Sequence, residues 1–317
     1  MFDISAVRAA RERIAGRVHT TPTVSATRLG ERVGVRLLLK CENLQKTGSF
    51  KVRGALNKLS QLDADARARG VVTFSAGNHA QSLAWAARAA GVQATVVMSM
   101  VASPTKVAAS RGYGANVVQY GANGMEALAH ARELQKEGNL TFVHPFDDEF
   151  VGAGAGTVGL ELLEQAGDLD SVIVPIGGGG LISGILVAIK ESNPKIRVIG
   201  VEPRGASSMR RSLDEGHAVH LETVNTIADG LAAPMAGEVN YEVVRRYVDD
   251  VVLIDDELIA DALRELLYST KLLVEPAGAT ATAAVLSRAI PFKNGERVAA
   301  ILSGGNVDPA KLTSILS

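Results

Sequence analysis

From Gly70 onward, short apolar runs alternate with stretches in which apolar residues return every three or four positions. GVVTFSAG (70–77) predicts a strand entering a turn, NHAQSLAWAARAAG (78–91) a helix, and QATVVMS (93–99) a strand. SPTKVAASRGYG (103–114) then predicts a helix and ANVVQYG (115–121) a strand. After LTFVHPF (140–146) a second series begins, with a helix at GTVGLELLEQAG (156–167), a strand at SVIVPIG (171–177), a helix at LISGILVAIKES (181–192) and a strand at IRVIGVEP (196–203). Later strands and a helix fall in VDDVVLIDDELIADALRELLY (248–268) and ERVAAILSGGN (296–306). Such alternation predicts an α/β fold with two open sheets flanked by helices.

Composition narrows the partners. The 317 residues carry 33 basic and 34 acidic side chains, a net charge of −1. Neither a nucleic-acid surface nor a membrane surface is expected of so even a balance, and a small molecule is the expected partner. No run of about 18 uncharged apolar residues predicts a membrane span. The start, MFDISAVRAARERIAG, reads as an amphipathic helix rather than a leader peptide. Cys41 is the single cysteine, which rules out an intramolecular disulfide. The cytoplasm is the expected location.

In sheets of this kind ligands bind at the carboxyl ends of strands, and three turns there carry chemistry. Gly177, Gly178, Gly179 and Gly180 follow a strand and open a helix. With no side chains in the way, their N–H groups can converge on an anion, and a phosphate fits. The dinucleotide spacing fails in this loop. It does match Gly154, Gly156 and Gly159, but FDDEFVGAGAG (146–156) sets three carboxylates where a pyrophosphate would lie. One phosphate monoester is therefore favoured over a nucleotide. In SAGNHAQS (75–82) the N–H groups suit a carboxylate, although Ser75 or Asn78 could equally cap the helix. In AILSGGNVD (300–308) Ser303 is small and neutral, a turn residue when read alone.

Lys51 completes the set. In ENLQKTGSFKVRGA (42–55) it stands in the first turn of a predicted helix, where the backbone dipole disfavours an ammonium group. A depressed pKa leaves neutral amine, which a Schiff base requires. One phosphate, one carboxylate and one such lysine point to pyridoxal phosphate. A serine–lysine hydrolase, suggested by SPTK (103–106) and KTG (46–48), has its motifs in the wrong order. A zinc site at His217 and His220 fails because residues three apart on an extended segment face opposite ways.

The sequence resembles the serine/threonine dehydratases of the fold type II pyridoxal-phosphate enzymes, a family that includes threonine ammonia-lyase and serine racemase. The resemblance rests on KCENLQKTGSFKVRGA (40–55), SAGNHAQ (75–81), GGGGLISG (177–184), VEPAGA (274–279) and LSGGN (302–306), in that order. It implies a tryptophan synthase beta-like architecture: a small mobile domain, residues 48–145, inserted into a large cofactor-binding domain, residues 1–47 and 146–317. It implies that Lys51 links the cofactor and removes the α-proton, with Phe50 against the ring. Asn78 would bond the ring's phenolic oxygen, Gly177 to Gly180 would hold the phosphate, Gly230 would line the ring, and Ser303 would face the pyridine nitrogen. Glu275 would lie near the ring without an assigned role. Ser75, Gly77, Asn78 and His79 would hold the substrate carboxylate.

The implied reaction is β-elimination from L-threonine or L-serine to a 2-oxo acid and ammonia, in a homodimer or homotetramer. Racemisation, a dehydratase of another β-hydroxy amino acid (3-hydroxyaspartate, phenylserine, or a substrate of hydroxyectoine breakdown) and a non-catalytic cofactor-binding protein are the alternatives. Serine racemase binds a cation through a glutamate, a carbonyl and an aspartate; the matching residues here are Glu202, Ala206 and Ser208. The missing carboxylate weakens such a site, so cation dependence is expected to be weak or absent, with Glu202 the one residue left for it.

Overall fold

A computed structural model describes all 317 residues, Met1–Ser317. Ten strands form two sheets. They are β1 (Thr23–Ser25), β2 (Arg36–Cys41), β3 (Val71–Phe74), β4 (Ala94–Met98), β5 (Asn116–Gln119), β6 (Thr141–Phe142), β7 (Ser171–Pro175), β8 (Arg197–Pro203), β9 (Asp250–Ile254) and β10 (Arg297–Leu302). The larger sheet has the order β1-β2-β10-β7-β8-β9 and the smaller β5-β4-β3-β6. Every pairing is parallel except β1 on β2. The two-sheet α/β fold expected from the alternation is present. Parallel strands need both faces covered, which explains why Val172, Ile173 and Val174 of β7 are all buried.

The alternation from Gly70 onward marked β3, β4, β5, β7 and β8 and most of the helices between them, and it left β1 and β2 unmarked. The helix expected from Gly156 begins at Glu149, capped by Asp148, whose carboxylate accepts the N–H groups of Phe150 and Val151. Gly154 thus lies inside the same buried helix as Gly156 and Gly159, with no loop among the three. A β-carbon at Gly154 would sit 2.6 Å from the Arg53 carbonyl, and one at Gly159 2.9 Å from Ala188 Cβ. The glycines are there for close helix packing. Periodicity sees only the apolar face, so a helix wrapped on all sides and rich in glycine is hard to read from it.

Helix Lys51–Leu59 is wedged between the two units. Val52, Ala55, Leu56 and Leu59 share a core with Val71 and Leu83 of the smaller unit and with Val151 of the glycine-rich helix. Its Arg53 is fully buried and chelates two carboxylates, Glu42 at 2.8 Å and Glu161 at 2.6 Å. Lys40 joins Glu161 at 2.7 Å, so two cations and two anions share one dry pocket. Removing one member would strand its partner's charge, a loss of roughly 3–5 kcal/mol.

Candidate active site

The carboxyl ends of β3, β7 and β10 border one cavity of about 790 Å³. Every residue singled out above for cofactor or substrate lines it: Phe50, Lys51, Ser75, Gly77, Asn78, His79, Gly177 to Gly180, Gly230, Glu275 and Ser303.

Lys51 opens its helix on the cavity floor, and its Nζ donates to the Pro145 carbonyl at 2.7 Å. Its pKa is lowered to about 8, because burial penalises the ammonium; the Glu275 charge works weakly against that. The depression was expected from the helix terminus. Desolvation is what supplies it, a consequence of the cleft and not of the local sequence. The Phe50 ring lies beside the amine, with its centroid 5.1 Å away.

The glycine turn is a ready anion site. The N–H groups of residues 177 to 182 donate to no protein acceptor, and Gly178 to Ile182 are buried. Gly179 takes φ 94°, a left-handed conformation that favours glycine. Behind the turn, a β-carbon at Gly178 would run into the Phe146 ring, and one at Gly179 would come within 2.8 Å of Asn240 Cβ. Packing thus fixes the backbone while its donors point at the head of an 11-residue helix.

Across the cavity, helix Asn78–Ala90 presents a second set of unpaired N–H groups at Asn78, His79 and Ala80. Ser75 Oγ accepts the Gly77 N–H at 3.1 Å, which shapes the turn. The His79 ring turns away to the Val143 carbonyl, 3.2 Å from Nε2, and burial drives its pKa to about 3. Its contribution to the cavity is therefore a backbone N–H and a neutral ring. Asn78 is held from both ends: Nδ2 donates to Glu275 Oε1 at 2.6 Å, and Oδ1 accepts from Asn306 Nδ2 at 2.8 Å. One Nδ2 proton remains for a ligand.

Glu275 is buried, and desolvation raises its pKa to about 7. A β-carbon at Gly230 would stand 3.5 Å from Glu275 Oε1 and 2.9 Å from Ala277, so only a glycine leaves that wall open. Ser303 is buried at the end of β10 with its hydroxyl 3.4 Å from the Ala277 carbonyl.

Glu202 lies elsewhere. Its two carboxylate oxygens accept the N–H groups of Met209 and Arg210 at 2.8 Å each, capping helix Ser208–Glu215, and burial raises its pKa to about 8. No three His, Cys, Asp or Glu side chains gather anywhere at metal-binding distance. The cavity residues that the sequence did not single out include Asn306, visible only as part of a Gly-Gly-Asn turn, and His144, which stands in LTFVHPF (140–146) with no motif around it.

The donor set fits pyridoxal phosphate: a buried turn of unpaired N–H groups for a dianion, a desolvated amine for an aldehyde, and an amide for the phenolic oxygen. The model of the pyridoxal-phosphate dependent enzyme family matches residues 14–304. The chain belongs to that family. Among its relatives is an L-threonine ammonia-lyase of Geobacter sulfurreducens, 45% identical over 316 residues, covering 100% of this chain and 78% of that one. The catabolic L-threonine dehydratase TdcB of Escherichia coli (strain K12) is 42% identical over 307 residues, covering 96% of this chain and 93% of its own. Maize serine racemase superposes with a TM-score of 0.95 at 40% identity, covering 99% of this chain and 96% of that one. The processed form of threonine deaminase isoform 2 from Solanum lycopersicum gives 0.93 at 37% identity, covering 98% and 91%. This agrees with the resemblance drawn from the motifs. No helix of this family member is long and apolar enough to cross a membrane.

Proposed function

We propose that this enzyme removes water from L-threonine or L-serine, the product decaying to a 2-oxo acid and ammonia. The observation that carries the reading is one desolvated amine, Lys51 Nζ, set between two separate rows of unpaired N–H groups. Pyridoxal phosphate, when bound, supplies an aldehyde that joins an amine and a conjugated ring that takes up the charge left by a departing α-proton.

The chain's own residues do the rest. Gly177 to Ile182 hold the phosphate, and Phe50 packs against the ring. Asn78, fixed by Glu275 and Asn306, aims its remaining N–H at the phenolic oxygen. The N–H groups at the head of helix Asn78–Ala90 take the substrate carboxylate, so that the α-proton faces Lys51 Nζ. With a pKa near 8, that nitrogen accepts the proton far more readily at neutral pH than an ordinary lysine would. Ser303 brings a neutral hydroxyl to the ring's edge where a carboxylate would deepen the charge sink; a shallow sink favours expelling the β-substituent at once.

Residues 48–145 form the mobile small unit, with helix Lys51–Leu59 kept in register with the large unit by Arg53. Ser103 to Asp308 and Lys106 to Asp229, both at 3.4 Å, are contacts across the mouth that closure would tighten and that exclude water. Racemisation requires an acid on the face opposite Lys51. The resemblance puts Ala76 at that position, and its methyl group donates no proton, which favours elimination. The single, buried Cys41 suits the cytoplasm, and exposed Leu44 and Leu273 offer apolar area to a second copy in a homodimer or homotetramer.

The decisive experiment is Lys51→Ala. The expected variant keeps its fold, loses the borohydride-fixable yellow chromophore and loses essentially all 2-oxo acid release from threonine and serine. Normal turnover by that variant would sink the reading.

A further inference from the structure

His144 is a polar cavity residue, next to the carbonyl that holds Lys51, to which the proposed reaction assigns no role. Its Nδ1 accepts the N–H groups of Phe146 at 3.3 Å and Asp147 at 2.8 Å, closing a turn much as an Asn or Asp side chain does. Accepting at Nδ1 places the ring proton on Nε2. Burial, with the nearby positive charges of Arg132 and Lys51, lowers the pKa to about 4, so the ring stays neutral. Phe146 packs edge-on with centroids 4.6 Å apart, and Phe74 and Phe142 border the ring at 6.2 and 6.1 Å. The ring is thereby oriented by its neighbours; its hydrogen bonds to protein are both at Nδ1, and His144 lines the cavity.

The polar side chains nearest Lys51 on the 75–80 turn are held in other bonds, and the unpartnered His79 Nδ1 can only accept. Asn78 is tied at both ends, Ser75 Oγ holds the Gly77 N–H, and the His79 ring serves Val143. His144 directly precedes Pro145, whose carbonyl holds Lys51 Nζ. Once the amino group and carboxylate of a substrate are fixed and its α-proton faces Lys51, the side chain is the one substituent left to place.

We infer that His144 Nε2–H donates a hydrogen bond to the substrate's β-hydroxyl, selecting β-hydroxy amino acids and orienting the group that departs. This rests on the dehydratase reading and deepens it. His144 keeps its own proton throughout, since a neutral imidazole is far too weak an acid to surrender it. The Cα–H bond breaks with its proton going to Lys51 Nζ, its electron pair forms the Cα–Cβ double bond, and the Cβ–O pair leaves with the oxygen. That oxygen takes the proton from Lys51 and departs as water. The imidazole stabilises the charge growing on the oxygen, as a preorganised dipole does.

The test separates the two ring nitrogens. His144→Asn keeps an acceptor for the Phe146–Asp147 turn and removes the Nε2 donor; His144→Gln restores a donor at that distance and removes the acceptor. Binding is read from the cofactor's absorbance with α-methyl-L-serine and with 2-aminoisobutyrate. Both lack an α-proton and cannot be eliminated, and they differ only in the hydroxyl, so the crowding from the α-methyl group cancels in their ratio. The unmodified holoenzyme is expected to prefer the hydroxyl compound by on the order of tenfold, the value of one net hydrogen bond. His144→Asn is expected to bring the ratio near one with 2-aminoisobutyrate affinity unchanged, and His144→Gln to restore part of it. An unchanged ratio in His144→Asn, or equal weakening of both ligands, would overturn the assignment. Absence of 2-oxo acid release from serine and threonine by the unmodified enzyme would instead overturn the dehydratase reading, and the binding ratio would still report on His144.

Discussion

The cavity contains two strand-to-helix turns that do the same electrostatic job by different means. At 177–182 the turn is made of glycines and apolar residues, is mostly buried, and is pinned from behind by Phe146 and Asn240. At 75–80 most of the turn is half exposed, polar, and held from the opposite unit by Glu275 and Asn306 through Asn78. A site for a resident cofactor gains from a backbone that cannot move. On the proposed reading the second turn takes and releases a substrate carboxylate at each turnover, and such a site gains from ties that close across a cleft and open again. The first turn therefore depends on packing behind it, and the second on side-chain hydrogen bonds in front.

Swapping a single methyl between the two turns breaks that contrast most sharply. Gly178→Ala forces a β-carbon into the Phe146 ring. Overpacking of that kind costs about 2 kcal/mol, and cofactor affinity measured by fluorescence titration should fall roughly 30-fold. At Gly77 a β-carbon meets nothing within 4 Å. Gly77→Ala should keep cofactor affinity and raise the KM for threonine instead. Equal losses of cofactor at both positions would erase the distinction.

Asn306→Ala cuts one tie of the polar turn. Asn78 then keeps only its bond to Glu275, and kcat/KM should fall on the order of tenfold, the value of one hydrogen bond, with cofactor affinity nearly unchanged. Glu275→Gln probes the other tie by pH. The folded-state pKa of Glu275, about 7, lies above its ordinary value of 4.5. Its protonation therefore supports the fold fully below pH 4.5, and that support is lost as pH rises through 7. Glutamine keeps the acceptor for Asn78 and never ionises. Its melting temperature, measured without cofactor, should exceed the parent's by a few degrees at pH 8.5 and match it at pH 4.5; the opposite trend would mean that the carboxylate is welcome in its ionised form.

The smallest expected effect on rate comes from Ala76→Ser in the same turn. Total consumption of L-serine should change less than about threefold, while D-serine appears in chiral chromatography as a new product. Rapid D-serine formation by the unmodified enzyme would contradict the elimination reading, whereas a silent variant would show that the new hydroxyl misses the open face.

The sequence by itself determined the alternation of strands and helices, the glycine turn and the misplaced lysine, because each is a local departure from what a surface segment needs: no β-carbons where donors must converge, a cation where the backbone dipole opposes one. It also bore the five motifs that mark the family. It left undecided what comes from residues far apart in the chain. Gly154 and Gly159 matched a dinucleotide pattern until helix packing showed them touching Arg53 and Ala188. Glu202 was the one residue left for a weak cation site, and its oxygens are found on the N–H groups of Met209 and Arg210. The role of Glu275 could not be assigned until Asn78, 197 positions away, was found bonded to it. The pKa of Lys51 was expected to be lowered by the helix terminus, and burial in the cleft is what lowers it. Desolvation, partner choice and close approach are properties of a surrounding, and a surrounding exists only once the chain has folded.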